Sequence, residues 1–135
     1  MRPEALLEAQ QWLNRAIRDR RIAVANLSGA EAFPDAAVFF AQQAAEKALK
    51  AFLVAHDRPF PKTHDLERLV EWCEAIEGQF STFLDAARTL SPYAIGLRYP
   101  GGSQVPDMAE AQEAIHLADE IVDFVRDRLS PGKSP

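Results

Sequence analysis

The residues best suited to chemistry fall in two short stretches. Lys62-Thr63-His64-Asp65 follows a connector containing two prolines, and Arg98-Tyr99 follows the fourth of five helical segments. Lysine and arginine offer positive charge to a phosphate, and a helix start adds free backbone N–H groups. Tyr99 presents a face on which a base can stack, and His64 exchanges a proton near neutral pH. In an up-and-down bundle the second and fourth helices end on the same side. The two loops then face one another, within one chain or across a dimer axis. Lys62, Thr63, His64, Asp65, Arg98 and Tyr99 are therefore the expected ligand-binding residues, and a nucleotide or RNA is the expected ligand.

Plainer roles compete with each assignment. A histidine at a helix start often bonds the backbone. Arg98 can pair with Asp65 or a carbonyl, and Tyr99 can pack with its hydroxyl satisfied. His56 suits a helix C-terminus, where the dipole favours positive charge. His116 flanks the seam of the last helix, at the surface or an interface. No metal set emerges, because His64-Asp65 has no second ligand at i+4 and the three histidines lie on separate elements. Gly101-Gly102 follows a helix rather than opening one, so no phosphate loop is present, and nothing resembles a nucleophile turn. No catalytic residue, metal or cofactor is assigned.

Helices must position these residues. The first is expected from about Pro3 to Leu27, with Leu6, Leu13, Ile17, Val24 and Leu27 on one stripe and Ser28-Gly29 as the stop. Arg20 falls on that stripe and needs an acidic partner, for which Asp119 or Asp123 of the last helix is expected. The second runs from about Asp35 to His56. Its alanines 37, 41, 44, 45, 48 and 51 invite close neighbours and make it the central helix, with Gln42, Gln43, Glu46, Lys47 and Lys50 on a polar side. Glu46 and Lys50 have the favourable i,i+4 order. Pro59 and Pro61 forbid helix in the connector. Thr63-His64-Asp65 opens a third helix ending near Glu77, with Leu66, Leu69, Val70, Cys73 and Ile76 as its stripe. A fourth starts near Gln79, with a kink or restart at Ser91-Pro92. The fifth starts at Asp107, a good N-cap with Glu110 three residues on, and carries a seam of Met108, Ala111, Ile115, Ala118, Val122, Val125 and Leu129. No segment alternates like a strand. The expected fold is all-α: one domain over residues 1–130, an up-and-down bundle of four long helices plus a short fifth helical segment, and a disordered tail at 131–135.

Composition narrows the function. Apolar residues make up 47% and charged residues 26% of the 135, ordinary values for a globular domain. The net charge of −5 gives the whole molecule no general grip on nucleic acid. That charge is uneven: Arg15, Arg18, Arg20 and Arg21 crowd the first helix, while residues 107–128 hold seven acidic side chains against two arginines. The two could attract each other within the fold or across a dimer. One cysteine, Cys73, builds neither an internal disulfide nor a cysteine metal cage, and points to the cytoplasm. No apolar run is long enough to span a membrane, and Met1 to Glu4 lacks the layout of a signal peptide.

Three stretches carry a resemblance. Phe39-Phe40-Ala41-Gln42-Gln43-Ala44-Ala45-Glu46-Lys47-Ala48-Leu49-Lys50 resembles the second helix of the small prokaryotic HEPN proteins (higher eukaryotes and prokaryotes nucleotide-binding). Thr63-His64-Asp65-Leu66 resembles their third-helix entry, and Arg98-Tyr99-Pro100-Gly101 their Arg-Tyr-Pro turn, in matching order and spacing. The resemblance implies a bundle of four long helices plus a short fifth, dimerisation through helix faces, and a minimal nucleotidyltransferase as partner in a toxin–antitoxin-like pair. Another branch of the family is made of metal-independent ribonuclease toxins, with an arginine, four to six residues, then a histidine near the start of a late helix. Here neither Arg88 nor Arg98 is followed by such a histidine. Arg58 to His64 has the spacing but lies between the second and third helices. The expected function is thus a dimeric nucleotide- or nucleic-acid-associated binding module, not catalytic alone. The alternatives are a ribonuclease working through Arg58, His64 or Arg98, and a ligand-free helical interaction protein.

Overall fold

The structure, a computed structural model, describes residues 1–98 and 105–130, without the side chains of 96–98. Its helices are α1 (Pro3–Ser28), α2 (Pro34–Ala55), α3 (Leu66–Glu74), α4 (Leu84–Leu90) and α5 (Met108–Leu129). Two 3₁₀ stretches, Gly78–Phe83 and Ser91–Arg98, flank α4, so a helical run of six, seven and eight residues forms the fourth long arm beside short α3. No strand occurs among the described residues. This is the all-α up-and-down bundle expected. The suggested tail at 131–135 lies outside the described residues.

Proline opens both long N-terminal helices, where its missing N–H costs nothing. The Phe33 N–H donates to the Asn26 carbonyl at 2.7 Å and closes the turn between them. α2 is the central element: 14 of its 22 residues are buried, on every side, and it packs mainly against α1 and α5. Its alanines from Ala37 onward are fully buried, and α1, its main neighbour, likewise buries small residues, Ala5, Ala9, Ala16 and Ala23. That match sets the register of α1, and it departs from the expected stripe. Leu13 is buried, but Leu6 and Val24 stay 36% and 46% exposed. Close approach of two alanine faces outweighs the pull of two larger side chains at the margin.

α3 is capped by Asp65, whose carboxylate accepts from the Arg68 N–H at 3.3 Å. The hydroxyl of Ser91, at the expected restart, accepts from the Leu66 N–H at 2.9 Å and pins the start of α3 to the fourth arm. Asp107 caps α5 as expected, accepting from Glu110 N–H at 2.8 Å. The α5 seam buries Ala111, Ala118, Val122, Val125 and Leu129, and adds Ala114 and Ile121, while Met108 remains 39% exposed.

Aromatic rings fill the end of the bundle where α2 and α5 meet the first 3₁₀ stretch. Phe80 lies 4.6 Å from Phe52 and 4.9 Å from Phe124, ring centre to ring centre, and Phe83 adds a 5.2 Å contact with Phe124. His56, the C-cap of α2, stacks 4.5 Å from Phe52. Burial lowers its pKa, which works against the positive charge that the helix dipole favours. Cys73 is buried, its thiol donating to the Leu49 carbonyl at 3.6 Å, and burial pushes its pKa well above the ordinary thiol range. Arg20 meets the partners expected of it: Nη1 lies 3.0 Å from Asp123 Oδ1 and Nε 3.5 Å from Asp119 Oδ1. Both carboxylates are substantially exposed, so each pair is worth about 0–1 kcal/mol. It ties α1 to α5 more in register than in energy.

Candidate functional site

The site is made by the return of the chain after α2. Asp57 takes a left-handed backbone conformation, φ 55°, and turns the chain. Its carboxylate receives the Arg2 guanidinium in two bonds, at 2.9 and 2.6 Å. Prolines 59 and 61 then hold the connector out of helix. It doubles back along α2, so His64 arrives beside Glu46 and Gln42, well before the helix end where the expected loop site would lie.

Glu46 is the hub. Its Oε1 is 2.8 Å from His64 Nδ1 and its Oε2 accepts from Lys50 Nζ at 2.9 Å. Gln42 Nε2 donates to Glu46 Oε1 at 3.3 Å and to the His64 carbonyl at 3.4 Å, while Gln43 donates to Gln42 Oε1 at 2.7 Å. The side chains of Glu46 and Lys50 are only 5% and 7% exposed, whereas His64 is 65% exposed. Gln42, Glu46 and Lys50, four residues apart, are therefore an interior polar row. The polar side expected for α2 does not face water at these positions; α1 and the connector cover it. Buried polar groups need partners, and this row finds them in itself and in His64.

Aromatic faces complete the enclosure. Lys50 Nζ lies 5.7 Å from the centre of the Trp12 ring and 5.6 Å from that of Phe60, and the two rings meet edge to face at 6.3 Å. The ammonium thus has a carboxylate on one side and two π faces near it. Above this pair a groove of about 410 Å³ opens between α1 and α2, lined by Gln11, Trp12, Arg15, Glu46, Lys47 and Lys50. Lys47 is paired with Asp19. Arg15 is exposed and has no ion pair among the described residues. A ring wall with a cationic rim suits a ligand that is anionic at one end and planar at the other. Because a carboxylate only accepts, Nδ1 of His64 is the donor in its contact with Glu46.

Of the residues singled out from sequence, His64 joins this network. Thr63 Oγ1 accepts from the Asp65 N–H at 3.0 Å and Asp65 caps α3, so both are engaged in the local turn. Lys62 is exposed next to them. The Arg98 side chain and Tyr99 lie outside the described residues. Trp12, Arg15, Glu46, Lys50 and Phe60 were not singled out as site residues. The available signal was polar residues at i, i+4 and i+8, Gln42, Glu46 and Lys50, on a helix rich in alanine and other apolar residues. Among the described residues no cluster of three or more histidine, cysteine or acidic side chains is placed to hold a metal. No helix among them is long and apolar enough to cross a membrane.

Comparison with known proteins gives two matches. The family model described as "HEPN domain" matches residues 9–128. The crystal structure of TT1696 from Thermus thermophilus is similar over 89% of this chain and 97% of that one, with 28% identity and a TM-score of 0.72. No curated protein matches.

Proposed function

We propose, given that the chain belongs to the HEPN domain family, that this nucleotide- or nucleic-acid-associated helical module holds a nucleotide in the groove between α1 and α2. The observation that carries the reading is the buried Glu46–Lys50 pair beneath Trp12, with unpaired Arg15 at the rim. Trp12 is the stacking face for a base. Arg15 and Lys47 meet the phosphates, and the interior charges keep the groove floor fixed. Lys62 and Arg98 are further candidate phosphate contacts and Tyr99 a further candidate stacking residue, by residue type alone. Chemistry then belongs to a partner, and the family resemblance points to a minimal nucleotidyltransferase, with two copies of this chain in a cytoplasmic assembly of toxin–antitoxin type.

A second reading, ribonuclease action, draws on the 2.8 Å contact between Glu46 and His64 Nδ1, which orients the ring and leaves Nε2 for proton transfer. The two readings separate in one set of assays. Purified protein is screened by thermal shift against ATP, GTP, their monophosphates and short RNA, with Arg15→Ala alongside. A ligand at a hundred times its Kd stabilises by about 2.7 kcal/mol, several degrees for a domain of this size. A shift lost in Arg15→Ala supports the groove; no shift with any ligand overturns it. RNA cleavage that disappears in His64→Ala would put the second reading first.

A further inference from the structure

Five of the ten arginines whose side chains the structure describes meet a carboxylate. Arg2 pairs with Asp57, Arg20 with Asp119 and Asp123, Arg88 with Asp85 and Glu67, Arg126 with Asp123, and Arg128 with Glu77. Arg68 lies over the Trp72 ring. The other four, Arg15, Arg18, Arg21 and Arg58, are exposed with no ion pair among the described residues; Arg58 stands alone in the connector, while Arg15, Arg18 and Arg21 form a row. They sit at intervals of three on α1, so their heads are neighbours, and like charges so placed repel. In a chain of net charge −5, carboxylates are plentiful, yet none is set against this row.

The row starts in the groove. Arg15 lines it, and each step of three residues turns by about 60° and climbs about 4.5 Å, so Arg18 and Arg21 wind onto the outer face of α1. The rise from Arg15 to Arg21 is about 9 Å. Phosphates follow one another at about 3.4 Å per nucleotide along a stacked strand and further apart when bases splay, so the row spans about two or three of them. A mononucleotide seated against Trp12 needs only Arg15 and Lys47, which leaves Arg18 and Arg21 without a role.

We propose that Arg15, Arg18 and Arg21 form a track for the backbone of a single-stranded polynucleotide, one base of which enters the groove beside Trp12. This rests on the groove reading above and extends it from a nucleotide to a strand. A single strand fits better than a duplex because only unstacked bases can reach a ring wall, and stacking on a ring tolerates any base. Backbone binding of this kind releases counterions and weakens steeply with salt.

The test is fluorescence anisotropy with a labelled 12-mer oligouridylate and with a labelled uridine monophosphate, over a salt series. The proteins are wild type, Arg18→Gln/Arg21→Gln and Arg88→Gln. The exposed positions leave folding intact, which a melting curve checks. The 12-mer is expected to bind tighter than the monophosphate. Loss of two phosphate contacts should reduce the slope of log K against log salt by about 1.4, at about 0.7 per contact. Arg88→Gln, which removes one positive charge elsewhere, should leave it unchanged, as should the double variant for the monophosphate. If the 12-mer binds no tighter than the monophosphate, or its slope survives in the double variant, the track is refuted while the groove reading stands. If neither probe binds, both fail. If the double variant instead dissolves a dimer in sedimentation, the row is an interface with the acidic α5 of a second copy and the proposal is overturned.

Discussion

Replacing Glu46 with alanine is expected to lower the stability of the fold by about 3–5 kcal/mol. The variant leaves Lys50, 7% exposed, as an ammonium without its carboxylate. It also removes the acceptor of His64 and Gln42. The rings of Trp12 and Phe60 return only about 1–2 kcal/mol of this through cation–π attraction. A loss of this size lowers Tm by on the order of 10 °C or more, and urea unfolding measures it directly. The companion variant Glu46→Leu/Lys50→Met removes both charges and keeps the volume, so it should be near neutral, or more stable than wild type. A single-variant loss below about 1 kcal/mol would mean that water reaches the pair and that the enclosure described above is wrong. The contrast also speaks to function. An ion pair that a pair of apolar side chains would replace without loss is retained for some reason other than stability.

Phe80→Ala should cost a similar amount, about 3–5 kcal/mol. Its side chain is fully buried and meets the rings of Phe52, Phe83 and Phe124, so truncation opens a cavity bordered on three sides by stiff groups. Phe80→Leu should cost less, since it refills most of the volume. Because Phe80 lies on a 3₁₀ stretch, its anchoring is tertiary rather than helical. Denaturant unfolding in which Phe80→Ala lost less than about 1 kcal/mol would show the stretch to be loosely packed.

Much of this architecture was legible before any coordinates. Asp107 announces a helix start by residue type and caps as expected, and the third helix opens where Thr63-His64-Asp65 placed it, with Asp65 as its cap. The tie from Arg20 to α5 followed from one basic residue on an apolar stripe and a strongly acidic last helix. What stayed hidden was non-local. An i,i+4 glutamate and lysine look the same whether water or protein covers them. The cover over Glu46 and Lys50 comes from Trp12, more than thirty residues earlier, and from a connector that reverses at Asp57. The position of His64 depends on that reversal, so the two-loop site placed it near a helix end instead of beside the middle of α2. The register of α1 was hidden for a related reason: alanine contributes little to a hydrophobic count, yet it decides which faces approach most closely.

The solitary thiol of Cys73 lies where α3 seals against α2. A thiol so enclosed, with its pKa raised, is inert to alkylating reagents in the closed protein. It reacts only when α3 lifts away. The rate of its modification is therefore a clock for that opening, read without any added probe. A slow rate matching global unfolding would mean that α3 belongs to the same cooperative unit as α2. A faster one would mark the third helix, with the connector that carries His64, as a hatch that swings while the long helices stay shut.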